Sequence, residues 1–324
     1  MSRVVVSNMS SVRKIVALSV IALACAALYM TVSVNPKYAA FAVKLRAPRL
    51  TAMLVTAFAI GGATIVFQTI INNNIVTPCL LGMNSLYTMT HTLIAFFLNT
   101  ASAAFTNRNL AFAIDLIVMS AASTLIYGWL FKKTKYNVLY VLLVGTVLAN
   151  FFGSVQSTLT RVMDPNEYDA LLSTLVASFS KVNADVIALS LVLMAAVLFL
   201  LRRDLALLNV ITLGKDRAIN LGVDYDRTIR RLLLGVTIFI TIATALVGPI
   251  SFLGLIIANL SRQLFRTYRH SFLIAGSALF GMAALVGGQL IVERVFVYSV
   301  PVSVFVTVGG GVYFLYMLTR GKAV

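Results

Sequence analysis

LRAPRLTAMLVTAFAIGGATIVFQTIINNNIVTPCLLGMNS, residues 45–85, decides how this chain is read. It opens on Arg46, Pro48 and Arg49, runs through an apolar stretch with small residues at Gly61 and Gly62, turns at three asparagines, and begins a second apolar stretch after Pro78. A hydrocarbon core roughly 30 Å thick takes about 20 apolar residues in helix, which is the length of the first stretch. The stretch therefore predicts a membrane span with basic residues immediately before it.

The rest of the chain repeats the pattern. Of 324 residues, 60% are hydrophobic and 11% charged, and the mean hydropathy is +0.95, more apolar surface than a soluble core can absorb. Ten apolar runs lie near 14–34, 50–71, 79–98, 110–131, 138–159, 184–201, 232–247, 250–265, 272–292 and 302–318. The seventh and eighth are one stretch broken at Gly248-Pro249, where proline removes a helix donor. The prediction is an all-α polytopic membrane protein of about ten spans. Residues 1–324 read as a single transmembrane domain, with an inner polar segment near 204–227 and an outer connection near 160–184.

Charge orients the chain. The net charge of +16 sits in the gaps between apolar runs, with no basic run interleaved with aromatics, so it reads as topology and not as nucleic-acid binding. With the N-terminus inside, 18 of the 26 lysines and arginines fall on cytoplasmic segments, and both termini are cytoplasmic. Arg46, Arg49 and Arg294 are then exceptions on the outer side. Cys25 and Cys79 sit in apolar surroundings and support neither a disulfide framework nor a metal site. The segment Ile15–Met30 has some look of a signal peptide or lipoprotein leader, but the spans that follow favour an uncleaved first helix.

No catalytic, cofactor-binding or metal-binding set is present: no phosphate loop, zinc cluster, nucleophile elbow or carboxylate pair. His91 reads as a hydrogen-bonded packing residue and His270, in a basic inner loop, as a solvated charge partner. Polar residues within spans are the candidates for a pathway, because each needs a partner or water: Gln68, His91, Asn150 and Asn259. Asp115 is the one acid at depth and lies near the outer end of its span, which argues against an ion-coupled carrier. Spacings of four between small residues in the ninth run, such as Ser277 and Gly281, predict close helix packing.

Two connections are longer than turns. The outer one, 160–184, has its own apolar spacing and predicts a short helix lying on or dipping into the outer surface. The inner one contains ITLGKDRAINLGVDYDRT, in which Leu213-Gly214 and Leu221-Gly222 bracket a short helix with Gly222 as its cap. It reads either as a docking surface or as a solvated link.

Residues 45–85 resemble the opening of the FecCD-type permeases of ABC importers for iron chelates, haem and cobalamin. Arg46, Pro48, Arg49, Gly61, Gly62, Gln68, Asn73, Pro78, Leu81 and Gly82 carry the likeness. LGKDRAINLGV (213–223) resembles the coupling region, GPISFLGLIIANLSRQLFR (248–266) the Gly-Pro-Ile-Gly-Phe signature, and VPVSVFVTVGGGVYFLYML (300–318) the last span. Ser251 replaces the signature's second glycine, Ala258-Asn259 its Pro-His, and LVASFSKVN (175–183) a Trp-x-x-Gly-Ser-Leu element. RVMDPNEYDALLSTLVASFSKVNAD (161–185) resembles instead the catecholate-siderophore branch, which includes petrobactin systems.

The resemblance implies a type II ABC importer permease without catalytic residues or cofactor, in a bacterial cytoplasmic membrane. It further implies a second and different permease chain, two ATPase subunits and an extracytoplasmic substrate-binding protein as partners, with lipid around them. On that basis Arg46, Arg49 and Arg294 dock the binding protein through carboxylate pairs, with snorkelling to lipid headgroups as the alternative. Leu213, Gly214, Lys215, Asp216, Arg217, Leu221, Gly222 and Val223 meet the ATPase. The cargo implied is a ferric siderophore; haem or cobalamin is the alternative within the family, and an ion-coupled carrier or a structural membrane partner the alternatives outside it.

Overall fold

The computed structural model describes residues 2–32, 36–98, 102, 107–133, 138–180, 182–296 and 300–319. Of the basic residues that orient the chain, Lys135, Lys181, Arg320 and Lys322 lie outside the described residues. The described residues hold helices and no strand. In order they are α1 (Ser2–Thr31), α2 (Ala39–Ile71), α3 (Met83–Leu98), α4 (Arg108–Lys133), α5 (Val138–Val162), α6 (Pro165–Leu175), α7 (Ala184–Ala206), α8 (Leu208–Ile211), α9 (Lys215–Asn220), α10 (Tyr225–Val247), α11 (Leu253–Phe265), α12 (His270–Arg294) and α13 (Val302–Thr319).

Each of the ten apolar runs meets one of these helices. Six of the helices, α1, α2, α4, α7, α10 and α12, are long and apolar enough to cross a membrane; α11 and α13 are shorter apolar helices, and α3 and α5 fill the two remaining runs. Helices α2 and α10 are buried over most of their length and form the centre, with α12 and α11 against α2 and α4 against α10. Helices α3 and α5 pair beside α4, and α1 lies on α12.

In lipid, apolar side chains gain little by meeting each other, so close backbone approach and van der Waals contact hold the helices together. The α2–α12 contact is built this way. A Cβ on Gly61 would lie 3.0 Å from Ser277 Oγ, and one on Gly281 would lie 3.0 Å from Ala57 Cβ. The small-residue spacing of the ninth run thus serves packing in the bundle interior. Buried hydroxyls of Ser190, Thr237 and Thr244 donate to the carbonyl four residues back, which lets them sit in helix without an outside partner.

Three sequence expectations change. Helix α2 starts at Ala39 and not near residue 50, so Pro48 lies inside it. One proline deletes one backbone hydrogen bond, and the helix continues through it while Arg46 ties its N-terminal part to α1. Helix α10 likewise begins at Tyr225, capped by the Asp224 carboxylate, which accepts from Arg227 N at 3.2 Å. His270 is not solvated. It is buried as the first residue of α12, with Nδ1 2.7 Å from Asn209 Oδ1 and Nε2 2.9 Å from Thr69 Oγ1.

The break at Gly248-Pro249 is present: α10 ends at Val247 and Gly248 takes φ +93°. The 160–184 connection forms α6, N-capped by Asp164 with Pro165 in its first turn. The chain after α6 dips into the bundle. Ser178 N donates to Val247 O at 2.8 Å, Ser303 Oγ donates to Ala177 O at 3.0 Å, and a Cβ on Gly248 would sit 2.8 Å from Ala177 Cα.

Candidate functional site

Arg46 and Arg294 are held by the end of α1. Arg46 Nη1 donates to Tyr29 O at 2.7 Å and Val32 O at 3.0 Å, with its guanidinium 5.7 Å from the Tyr29 ring centroid. Arg294 Nη2 donates to Val32 O at 2.8 Å. Cations at a helix C-terminus meet the negative end of the backbone dipole and its orphan carbonyls, so both residues close α1. Glu293 lies in the same cluster, its Oε1 accepting from Tyr29 Oη at 3.2 Å and Gln289 Nε2 at 3.0 Å. Arg49 is half-buried and donates to no other described residue. Three residues expected to act alike therefore divide: two fix the ends of α1, α2 and α12 together while keeping donors to spare, and one is uncommitted.

In the 213–223 segment, Gly214 (φ +96°) opens α9 and Gly222 (φ +82°) closes it. Gly222 N donates to Ile219 O at 2.9 Å and Val223 N to Ala218 O at 3.0 Å, the paired bonds of a Schellman cap. Ala218 and the half-buried Val223 anchor the turn. Lys215 Nζ pairs with both Asp226 oxygens, at 3.0 and 3.1 Å, and lies 5.8 Å from the Tyr225 ring centroid. Arg231 comes within 3.7 Å of the buried Asp204 carboxylate, tying the end of α7 to the start of α10. Leu213 (46% exposed), Ile219 (49%) and Leu221 (63%) turn outward together with Asp216 and Arg217. Rigidly capped backbone carrying outward leucines is suited to a partner's groove more than to water.

The polar span residues fall into three settings. Gln68 and Asn259 converge: Gln68 Nε2 donates to Asn74 O at 2.7 Å, and Asn259 Nδ2 donates to the same oxygen at 3.0 Å. Arg262 Nε donates to Gln68 Oε1 at 3.3 Å, so α2 and α11 together hold the 72–77 loop. His91 is elsewhere, buried with Nε2 2.9 Å from Asp115 Oδ2 and its ring 4.3 Å from that of Tyr87. The histidine and the acid, 24 residues apart, are one pair joining α3 to α4. Asn150 is exposed on α5. Sequence spacing gave no sign of the His91–Asp115 pair or of Arg262, because each contact crosses between helices; the signal available was only that intramembrane polar groups need partners.

The FecCD transport family matches residues 6–320. The chain belongs to that family. This FecCD protein is 39% identical over 275 residues to the petrobactin import system permease protein YclO of Bacillus subtilis, covering 85% of this chain and 87% of that one. It is 32% identical over 281 residues to the petrobactin import system permease protein FatC of Bacillus anthracis, covering 87% and 79%. Its fold matches a solved structure described as an inward-facing conformation of a metal-chelate type ABC transporter, with a TM-score of 0.78 at 21% identity over 95% of this chain and 99% of that one.

Proposed function

We propose that this FecCD-family chain is the membrane-spanning permease subunit of an ATP-driven importer that carries a ferric siderophore into the cytoplasm. The observation that carries the reading is the 39% identity to a petrobactin import permease along 85% of the chain. ATP hydrolysis resides in a separate pair of ATPase subunits, and an extracytoplasmic binding protein delivers the cargo to this chain and a second, different permease. The protein is a multi-pass protein of the bacterial inner membrane, with both termini cytoplasmic.

In this reading the capped turn from Leu213 to Val223 is the ATPase contact. Its outward leucines enter the partner, and the Lys215–Asp226 pair passes the movement to α10. Arg49 meets a carboxylate of the binding protein directly, since a guanidinium stays charged and grips carboxylates with two hydrogen bonds. Arg46 and Arg294 present their remaining donors at the same outer surface. Gln68 and Asn259 serve the passage by holding the 72–77 loop, and His91 by keeping α3 on α4. Asn150 faces the passage itself.

The test is reconstitution. Ferric-siderophore uptake into vesicles is expected to require ATP, the ATPase subunit and the binding protein together. Uptake driven by an ion gradient without ATP would overturn the proposal.

A further inference from the structure

Three helices meet at His270, the first residue of α12. Its backbone N–H is one of the orphan donors of a helix N-terminus, and the N-cap residue Arg269 offers it no side-chain cap. Asn209 on α8 takes that place: its Oδ1 accepts from His270 N at 3.2 Å and lies 2.7 Å from His270 Nδ1. The other side of the ring reaches α2, where Nε2 is 2.9 Å from Thr69 Oγ1. The ring is buried, and α8 is seated beside it by Leu208 and Ile211, both buried in the core.

The protons at this junction can be placed. An amide oxygen only accepts, so Nδ1 carries a proton and donates it to Asn209. An amide and a hydroxyl do not offset a buried charge, so the ring is neutral and Nε2 holds a lone pair. That lone pair calls for the Thr69 hydroxyl proton, yet the same hydroxyl lies 2.7 Å from Ile65 O, the carbonyl four residues back. One proton has two acceptors. Turned to His270, Thr69 joins α2 to α12 and α8; turned to Ile65, it frees the ring and stays satisfied inside its own helix. The junction therefore opens without stranding the threonine. Both of its ends lead to segments already described. Helix α8 runs directly into the capped turn that begins at Leu213. On α2, Thr69 O accepts from Asn72 N at 3.3 Å, and the adjacent Gln68 accepts from Asn73 N at 3.0 Å and donates to Asn74 O at 2.7 Å.

We propose that His270 is a positioning residue that carries displacement of the 213–223 turn, through Asn209 and the Thr69 hydroxyl, to the end of α2 and the 72–77 loop. The two-way Thr69 hydroxyl is its release. The proposal rests on the ATPase contact assigned above, and it adds to the Lys215–Asp226 link with α10 a second route that ends on a different helix.

The experiment uses the complete transporter in lipid vesicles, with Cys25→Ala and the buried Cys79 retained. Nitroxide labels on Ile75→Cys in the loop and Ile291→Cys far along α12, both exposed positions, report the loop by their separation, and uptake per ATP hydrolysed is measured on the unlabelled protein. ATP with vanadate is expected to shift the separation when the junction is intact. Thr69→Val keeps the side chain's shape and loses the hydroxyl; it should abolish most of the shift and lower uptake per ATP about 2- to 10-fold, the effect of one hydrogen bond. Thr69→Ser should retain both. Adding Thr69→Val to His270→Leu should lower uptake per ATP no further than His270→Leu alone, because the two act in series. The threonine variants carry the test by themselves where His270→Leu does not assemble. A separation that ATP leaves unmoved, a shift that survives Thr69→Val, equal losses with valine and serine, or additive losses in the double variant overturns the relay. The separation is read without cargo. ATP-driven siderophore uptake beside an unmoved loop therefore sinks the relay and leaves the import role, and a shift that needs the Thr69 hydroxyl, without uptake, does the reverse.

Discussion

Substituting Gly222 by valine isolates the part played by the inner turn. A Cβ there would meet nothing within 4 Å, so the penalty is conformational and not steric. At φ +82° an L-residue pays about 1–2 kcal/mol, and a β-branched side chain sits at the upper end. The chain can relieve this strain by giving up the two capping bonds, from Gly222 N to Ile219 O and from Val223 N to Ala218 O, each worth a net ~0.5–1.5 kcal/mol. Either route lowers the population of the closed turn by about 5–30-fold. The assay is cargo taken up per ATP hydrolysed in vesicles. Uptake per ATP should fall by a factor of that order, while thermal unfolding in detergent barely moves because only one exposed turn is affected. Asparagine tolerates the left-handed region and should retain most coupling, with alanine intermediate. Unchanged coupling in Gly222→Val, or equal loss with asparagine and valine, would refute the reasoning.

Three further outcomes follow from buried or paired groups. Gly248→Ala places a side chain at φ +93° and 2.8 Å from Ala177 Cα, and should cost about 2–5 kcal/mol in detergent unfolding, whereas Gly309→Ala, with nothing within 4 Å, should not destabilise. His91→Leu leaves the buried Asp115 side chain without its hydrogen-bond partner and should cost about 1–3 kcal/mol, most of it recovered in the double variant with Asp115→Leu; failure of the second change to rescue would count against a pairing role. Arg49→Glu should weaken docking of the binding protein at moderate salt without changing unfolding, whereas Arg46→Glu should lower both, since it also frees the end of α1. Docking measured on immobilised transporter, beside a melting curve, separates the two.

The helices of the ten apolar runs were legible because membrane thickness sets a length scale for such runs, and the Gly248-Pro249 break because proline chemistry is local. The inner turn was legible for the same kind of reason: two glycines at fixed spacing describe a cap that needs no distant partner. The start of α2 was not, because Lys44, Arg46, Pro48 and Arg49 together imitate a helix boundary, and only the carbonyls of α1 explain why helix persists through them. His270 was misplaced because its neighbours Arg266 and Arg269 are charged, while its own contacts, Asn209 and Thr69, come from α8 and α2. Three outer arginines looked equivalent in sequence, and separated only when hydrogen-bond partners could be assigned.

Helix α2 runs unbroken from Ala39 to Ile71, 33 residues, with Pro48 carried inside it. At 1.5 Å per residue that is a rod about 50 Å long, about 20 Å more than the hydrocarbon core. Its N-terminal part bears Arg46 and Arg49, and its C-terminal end bears Gln68 and Thr69, which touch the Asn74 loop and His270. A tilt of about 10° pivoting at one end displaces the other by about 9 Å, with no hinge needed between them. The arginine-bearing end of α2 and the 72–77 loop are thus two ends of one rod, so a displacement imposed at either is felt at the other.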